Sequence, residues 1–178
     1  MAIELPCTPW MRVKLGMCKS ADEYLDLAES KGIGMAPDLR SVAAHVSMSE
    51  EIRDVVLTKT TLRELGMPHR PGDWCTDDHI FEKFAGTALE RCSPEIILAL
   101  AASSAPVEEN FEFSTWWFVA PRYKIRKGGI VQASDDCSYA IKYVPNAIRA
   151  WRTGARWRPE GGAISVYRPG NTIIFALR

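Results

Sequence analysis

Residues 93–103 read Ser-Pro-Glu-Ile-Ile-Leu-Ala-Leu-Ala-Ala-Ser, and this stretch sets the centre of the fold. Ser93 suits a helix N-cap, and Pro94 suits the first helical position, where a missing N–H costs nothing. Ile96 to Ala102 is apolar on every side. A helix of that kind is buried on most of its faces and forms the middle of a core. Its aliphatic run of seven residues is far short of the ~20 that a bilayer requires.

The chain ahead of it mixes helices with short strands. Trp10 to Leu15 alternates apolar Met11, Val13 and Leu15 with Arg12 and Lys14, the period of a strand closed by Gly16. Ser20 and Glu23 form a capping box for a helix that buries Ala21, Tyr24, Leu25 and Ala28 and turns Asp22, Glu23, Asp26 and Glu29 to water. Leu39 to Ser47 fits either a strand or a short helix. Asp54 to Thr58 reads as a strand. Thr61 and Glu64 make a second capping box, ended by Gly66, and Met67 to Cys75 is a loop with two prolines and Gly72. Asp77 to Arg91 carries the clearest helical stripe, through Ile80, Phe81, Phe84, Ala85, Ala88, Leu89 and Cys92.

After Pro106 the pattern becomes that of a sheet. Phe111, Phe113 and Trp116 to Val119 form an aromatic strand. Ile130 to Ala133 and Tyr139 to Val144 read as two strands separated by a turn at Ser134-Asp135-Asp136. Asn146 to Thr153 reads as a short helix after Pro145. Ala163 to Tyr167 and Thr172 to Leu177 flank a tight turn at 168–171. Helices followed by strands argue for an α+β fold. The expected architecture is one domain over 1–178, with a helical N-terminal layer packed on a mostly antiparallel C-terminal sheet. Residues 1–106 are mixed, helix-rich and acidic, and residues 107–178 are strand-rich and basic.

The 178 residues are 47% hydrophobic and 25% charged, ordinary globular values that exclude wholesale disorder. The net charge of zero conceals a split. Residues 1–120 hold 11 basic and 19 acidic side chains, a net of −8, and residues 121–178 hold 11 basic and 3 acidic, a net of +8. Eight of the tail's basic residues are arginines, which grip phosphate or carboxylate with two parallel donors. Trp151 and Trp157 interleave with them. Arg149, Trp151, Arg152, Arg156, Trp157 and Arg158 therefore form the candidate binding set, as electrostatic clamps and stacking planes. The bland alternative is equally physical: the acidic front neutralises the basic back within one fold, and both indoles are core.

The five cysteines are odd in number and scattered, with no CxxC, which fits reduced thiols in a cytoplasmic protein better than a disulfide framework. The N-terminus lacks a cationic start followed by an apolar stretch, so no secretion signal is expected. His69, Cys75, Asp77, Asp78 and His79 gather in one loop. They could supply a metal site or a cysteine nucleophile, but they match no known zinc spacing, and the two aspartates suit helix capping. No metal or cofactor is expected. Gly128-Gly129 and Gly161-Gly162 lack phosphate-loop spacing and read as turns.

Several segments, "PWMRVKLG", "SADEYLDLAESKGI", "LRELGM", "ALERCSPE", "STWWFVAPRY" and "NTIIFALR", resemble in order an uncharacterised family of small bacterial hypothetical proteins. That resemblance implies no activity and no functional residue.

The residues thus point to a non-enzymatic binding protein that engages an anionic partner, a nucleic acid, a nucleotide or an acidic protein, through an Arg/Trp-rich C-terminal surface. The alternatives are a small hydrolase or transferase using Cys75, His69 and His79, with or without a metal, and a protein–protein inhibitor or accessory module of a mobile element.

Overall fold

The computed structural model describes residues 8–67, 75–76, 80, 82, 84, 86–103, 112–113, 118–152, 166–167 and 172–177; at 75–76, 112–113, 118, 134, 151 and 166–167 it describes the backbone alone. In chain order the elements are β1 (Pro9–Leu15), α1 (Ala21–Ser30), β2 (Gly34–Met35), α2 (Leu39–Ala43), β3 (Arg53–Thr61), β4 (Cys75–Thr76), β5 (Leu89–Glu90), α3 (Pro94–Ser103), β6 (Glu112–Phe113), β7 (Phe118–Arg126), β8 (Gly129–Val144), β9 (Ala147–Arg152), β10 (Val166–Tyr167) and β11 (Thr172–Leu177). The class is α+β, with sheets that are mostly antiparallel.

Helix α3 is the buried helix its composition dictates: Glu95 to Ala102 are all buried. It packs against α1, β1 and β8. One core cluster joins its side chains to Val13 and Leu15 of β1, Val55 and Leu57 of β3, Ile174 and Ala176 of β11, and Ile141, Tyr143 and Ile148 of the other sheet. Burial of a single such side chain is worth about 1.5–3 kcal/mol.

The first sheet runs β1-β3-β11-β5, with β6 also pairing β11 in parallel. Its central strand comes from the chain's end, so the N- and C-terminal segments share one sheet. Strand β11 is apolar on both faces because both are covered. Ile174 and Ala176 enter the helical core, while Ile173 and Phe175 enter a second cluster with Leu62, Ile80 and Phe84. The Phe84 ring meets Phe175 edge-on at 5.9 Å. The hairpin expected between residues 163–167 and 172–177 is not formed by the described residues, and its turn at 168–171 lies outside them. Val166-Tyr167 pairs with β4, and β11 is taken by β3, β5 and β6, which satisfy both of its edges.

The second sheet runs β2-β9-β8-β7. Here the sequence reading is corrected twice. Ser134-Asp135-Asp136 is not a turn between two strands but the middle of β8. Pro121 pairs with Asp136 and Tyr123 with Gln132, so Arg122 alone faces Ala133, Ser134 and Asp135. The turn-prone residues are absorbed as a bulge opposite a proline strand, where ladder bonding is already broken. Within the stretch expected as a helix, Ala147–Arg152 is a strand, and Thr153 lies outside the described residues. Pro145-Asn146 makes a two-residue turn, with Asn146 at φ 57, and Ala147–Arg152 returns along β8.

Two further expectations change. The helical stripe expected to Arg91 stops earlier: Ile80, Glu82 and Phe84 are helical, Gly86 sits at φ 86, and Leu89-Glu90 joins β11 as β5. Glycine alone tolerates that left-handed backbone easily. The aromatic segment supplies two strands to two different sheets, β6 to the first and β7 to the second.

Both capping boxes form. The Glu23 N–H donates to Ser20 Oγ at 3.3 Å, while the Glu23 carboxylate reaches one residue further back, accepting from Lys19 N at 2.8 Å. Thr61 and Glu64 exchange reciprocal bonds at 2.8 and 3.2 Å. On α1, Asp22, Asp26 and Glu29 are exposed as their spacing requires. All three converge on Arg40 of α2, at 3.3, 2.8 and 3.0 Å.

Candidate anion-binding cleft

The residues at the hairpin β7–β8 alternate by strand period, and beyond the bulge that hairpin leaves the body as a two-stranded arm. Residues 124–132 are all exposed, with Ile125 at 63% and Val131 at 45%. Lys124, Arg126 and Lys127 put cations along the arm, and Lys127-Gly128 turns it. Where the arm meets the sheet it borders a cleft of about 550 Å³ lined by Asp38, Tyr123, Lys124, Ile125, Arg126, Tyr139 and Arg152. That volume falls within the range of small-ligand pockets.

Three elements position these groups. Arg152 ends β9 directly across from Tyr139 on β8, so strand pairing places a guanidinium beside a phenol. Asp38 immediately precedes α2, which packs on β7 and β9. Tyr123 follows the bulge, and its backbone N–H donates to the Tyr139 hydroxyl at 3.3 Å. The Tyr123 hydroxyl in turn shares a 3.1 Å hydrogen bond with His45 Nε2. Burial, followed by the hydrogen bond to Cys137, pushes the Tyr139 hydroxyl up to about 12, so it is neutral and protonated at ordinary pH.

Ion pairing among the described residues treats the cations around the cleft differently. Arg122, at the bulge, is paired with Asp135 at 2.6 Å. Among the described residues no ion pair engages Lys124, Arg126 or Arg152. Asp38 occupies the N-cap position of α2, yet its side chain makes no capping hydrogen bond. The arrangement can hold an anion against three cations, with a phenol and one carboxylate close by.

Of the six residues singled out from the sequence, the structure places three. Arg149 and Arg152 are both exposed on β9, and Trp151 lies in the same strand, paired through its backbone with Ala140. A helix would have set Arg149 and Arg152 on one face. As strand residues an odd number apart, they fall on opposite faces of the sheet, and Arg152 alone lines the cleft. Arg156, Trp157 and Arg158 lie outside the described residues. So do His69 and His79, and for Cys75 only the backbone is described, pairing with Tyr167. Among the described residues no group of three or more His, Cys, Asp or Glu is placed to hold a metal. Likewise no described helix is long and apolar enough to cross a membrane.

Asp38, Tyr123, Lys124, Ile125, Arg126 and Tyr139 were not among the residues singled out from the sequence. The available signal was the run Lys124-Ile125-Arg126-Lys127 ahead of Gly128-Gly129, a basic β-hairpin tip. Glu95, a single acid inside an apolar helix, was not singled out either. Glu95 Oε1 accepts from Gly16 N at 2.9 Å and Tyr24 Oη at 3.2 Å, and Oε2 accepts from Ser49 N at 2.8 Å and Ser49 Oγ at 2.6 Å. Both oxygens are saturated by the chain itself, so this buried carboxylate serves the fold and offers nothing to a ligand. No family model, no curated protein and no solved structure matches this chain.

Proposed function

We propose that this protein is a non-enzymatic binding protein that takes an anionic partner in the cleft at the base of the β7–β8 arm. The observation that supports the reading is the convergence of Lys124, Arg126 and Arg152 on one cleft with no described carboxylate in ion-pair contact with any of them. Surface cations normally find partners or disperse. Cations gathered around a concavity focus the local potential and raise the local concentration of anions. Arg152 provides a two-pronged fork, and the arm's lysines and Arg126 add steering charge. Arg149, on the opposite face, stands apart from this group.

The test is binding of labelled polyanions to the full chain, followed by anisotropy over a salt series. Affinity should fall steeply with salt, because each neutralised phosphate releases condensed counterions. The Arg152→Glu and Lys124→Glu variants should weaken binding, and Arg149→Glu should weaken it less. Absence of binding to every polyanion at low salt would sink the reading.

A further inference from the structure

We propose that the cleft's ligand is a nucleotide unit, a nucleoside phosphate carrying both an anionic group and hydroxyl or amine donors, taken free or as an exposed unit of a single strand. This rests on the anion-binding reading above and narrows it. Four observations on the cleft carry the narrowing.

The first is Asp38. A pocket built for a purely anionic ligand would exclude carboxylates, since like charges inside one cleft repel. Asp38 lines this one, and its side chain neither caps α2 nor joins an ion pair among the described residues. A carboxylate in that state is an acceptor that awaits donors. Ribose hydroxyls and base amines are such donors, while inorganic polyphosphate and acidic peptide side chains are not. The second is the cation set: Lys124, Arg126 and Arg152 suit the phosphate end of the same ligand. Third come the aromatics. Tyr123 lines the cleft half-buried and is held at its hydroxyl by His45, whose ring lies 6.4 Å away, while Tyr139, only 2% exposed, supports it from below through the bond from Tyr123 N. Aromatic rings held in place at little entropic cost are the usual platform for a base. The fourth is size. About 550 Å³ is the volume of a pocket for one small ligand, whereas a duplex is held over an extended surface of roughly 600 Å² or more.

The experiment is calorimetric titration of the full chain with a nucleoside triphosphate, a nucleoside monophosphate, tripolyphosphate, a poly-glutamate peptide, a single-stranded oligonucleotide and a duplex. The nucleoside triphosphate should bind about tenfold more tightly than tripolyphosphate, the ratio expected for one or two hydrogen bonds to a charged group. Asp38→Ala should invert that order, losing nucleotide affinity while gaining tripolyphosphate affinity, because it deletes an acceptor and a repulsive charge together. Asp38→Asn, which keeps the shape, should move the ratio in the same direction. Tyr123→Leu should weaken nucleotides and leave tripolyphosphate unchanged. Binding of the single strand without binding of monomers would assign the unit to a strand. The reverse would assign it to a free nucleotide. Equal affinity for tripolyphosphate or poly-glutamate, preference for the duplex, or an unchanged ratio in both Asp38 variants would overturn the nucleotide assignment while leaving anion binding intact. If none of the anions binds, both readings fall.

Discussion

Ser49 gives both of its hydrogen-bond donors to one oxygen of Glu95, the N–H at 2.8 Å and the hydroxyl at 2.6 Å. The other oxygen takes the backbone of Gly16 and the hydroxyl of Tyr24. One carboxylate in the first turn of α3 thereby ties together the end of β1, helix α1 and the loop before β3. Its position at a helix N-terminus adds a favourable dipole to the four donors.

The Glu95→Gln variant keeps the shape but turns an NH2 group toward donors. It should lose about 3 kcal/mol of stability, the scale seen when a buried charged network is broken from one side. Ser49→Ala should lose less, about 1–2 kcal/mol, because only the hydroxyl is removed and three of the four donors remain, the backbone N–H of residue 49 among them. Urea unfolding of the two variants beside the parent checks the order. A Glu95→Gln protein as stable as the parent would refute the latch.

Gly16 and Gly32 both have positive φ, 69° and 82°, yet their surroundings differ. A Cβ on Gly16 would stand 2.4 Å from the backbone oxygen of Glu51, whereas one on Gly32 would meet nothing within 4 Å. Gly32→Ala should cost about 1 kcal/mol, the conformational penalty alone. Gly16→Ala should cost at least about 2–3 kcal/mol, since backbone must also move beside the Gly16 N–H that donates to Glu95. Thermal melts of the pair separate strain from collision.

Alkaline pH should unfold the protein through its tyrosines. Burial raises both Tyr24 and Tyr139, the latter to about 12, above the ordinary value of 10.0. A raised folded-state value means that the native state holds its proton more tightly than the unfolded chain. The resulting stability is complete below pH 10 and is lost as pH rises toward 12. Spectrophotometric titration should show two phenols ionising late, in step with loss of the folded circular dichroism signal. A single tyrosinate transition near 10, with the fold intact, would contradict this.

Thiol reactivity should rank by burial. Cys18 and Cys92 are buried and Cys137 is half-buried. Burial raises the Cys92 thiol strongly, and the Cys18 thiol is raised by burial and then by Glu23 and Glu95. Both should remain protonated and resist maleimide until the chain unfolds, because the thiolate is the reacting species. Peptide mapping after brief labelling should find Cys137 modified ahead of these two. Early modification of Cys92 would mean that the α3 core opens readily.

Some of the molecule was written locally. The two capping boxes, the strand at Trp10–Leu15, the acidic face of α1 and the wholly buried helix α3 follow from spacing and side-chain chemistry within a few residues, and those forces act before any tertiary contact exists. The α+β class followed from the same signals, as did the concentration of cations toward the C-terminus.

Elsewhere the tertiary structure overruled local preference. Leu89-Glu90 fits a helix stripe but pairs with β11, Ser134-Asp135-Asp136 has turn chemistry but is absorbed in a bulge of β8, and Ala147–Arg152 becomes a strand because β8 offers an unpaired edge. In each case satisfying a row of backbone donors outweighed weak intrinsic propensities. The cleft was illegible for the same reason. Asp38, Tyr123 and Arg152 are distant in sequence and meet only because β7, β8 and β9 pair side by side, with a register shift before Tyr123, and α2 packs on β7 and β9. The sequence set an excess of cations in residues 121–178; strand pairing brought Arg152 to Lys124 and Arg126, and strand alternation turned Arg149 the other way, because neither can be read before the strands are placed.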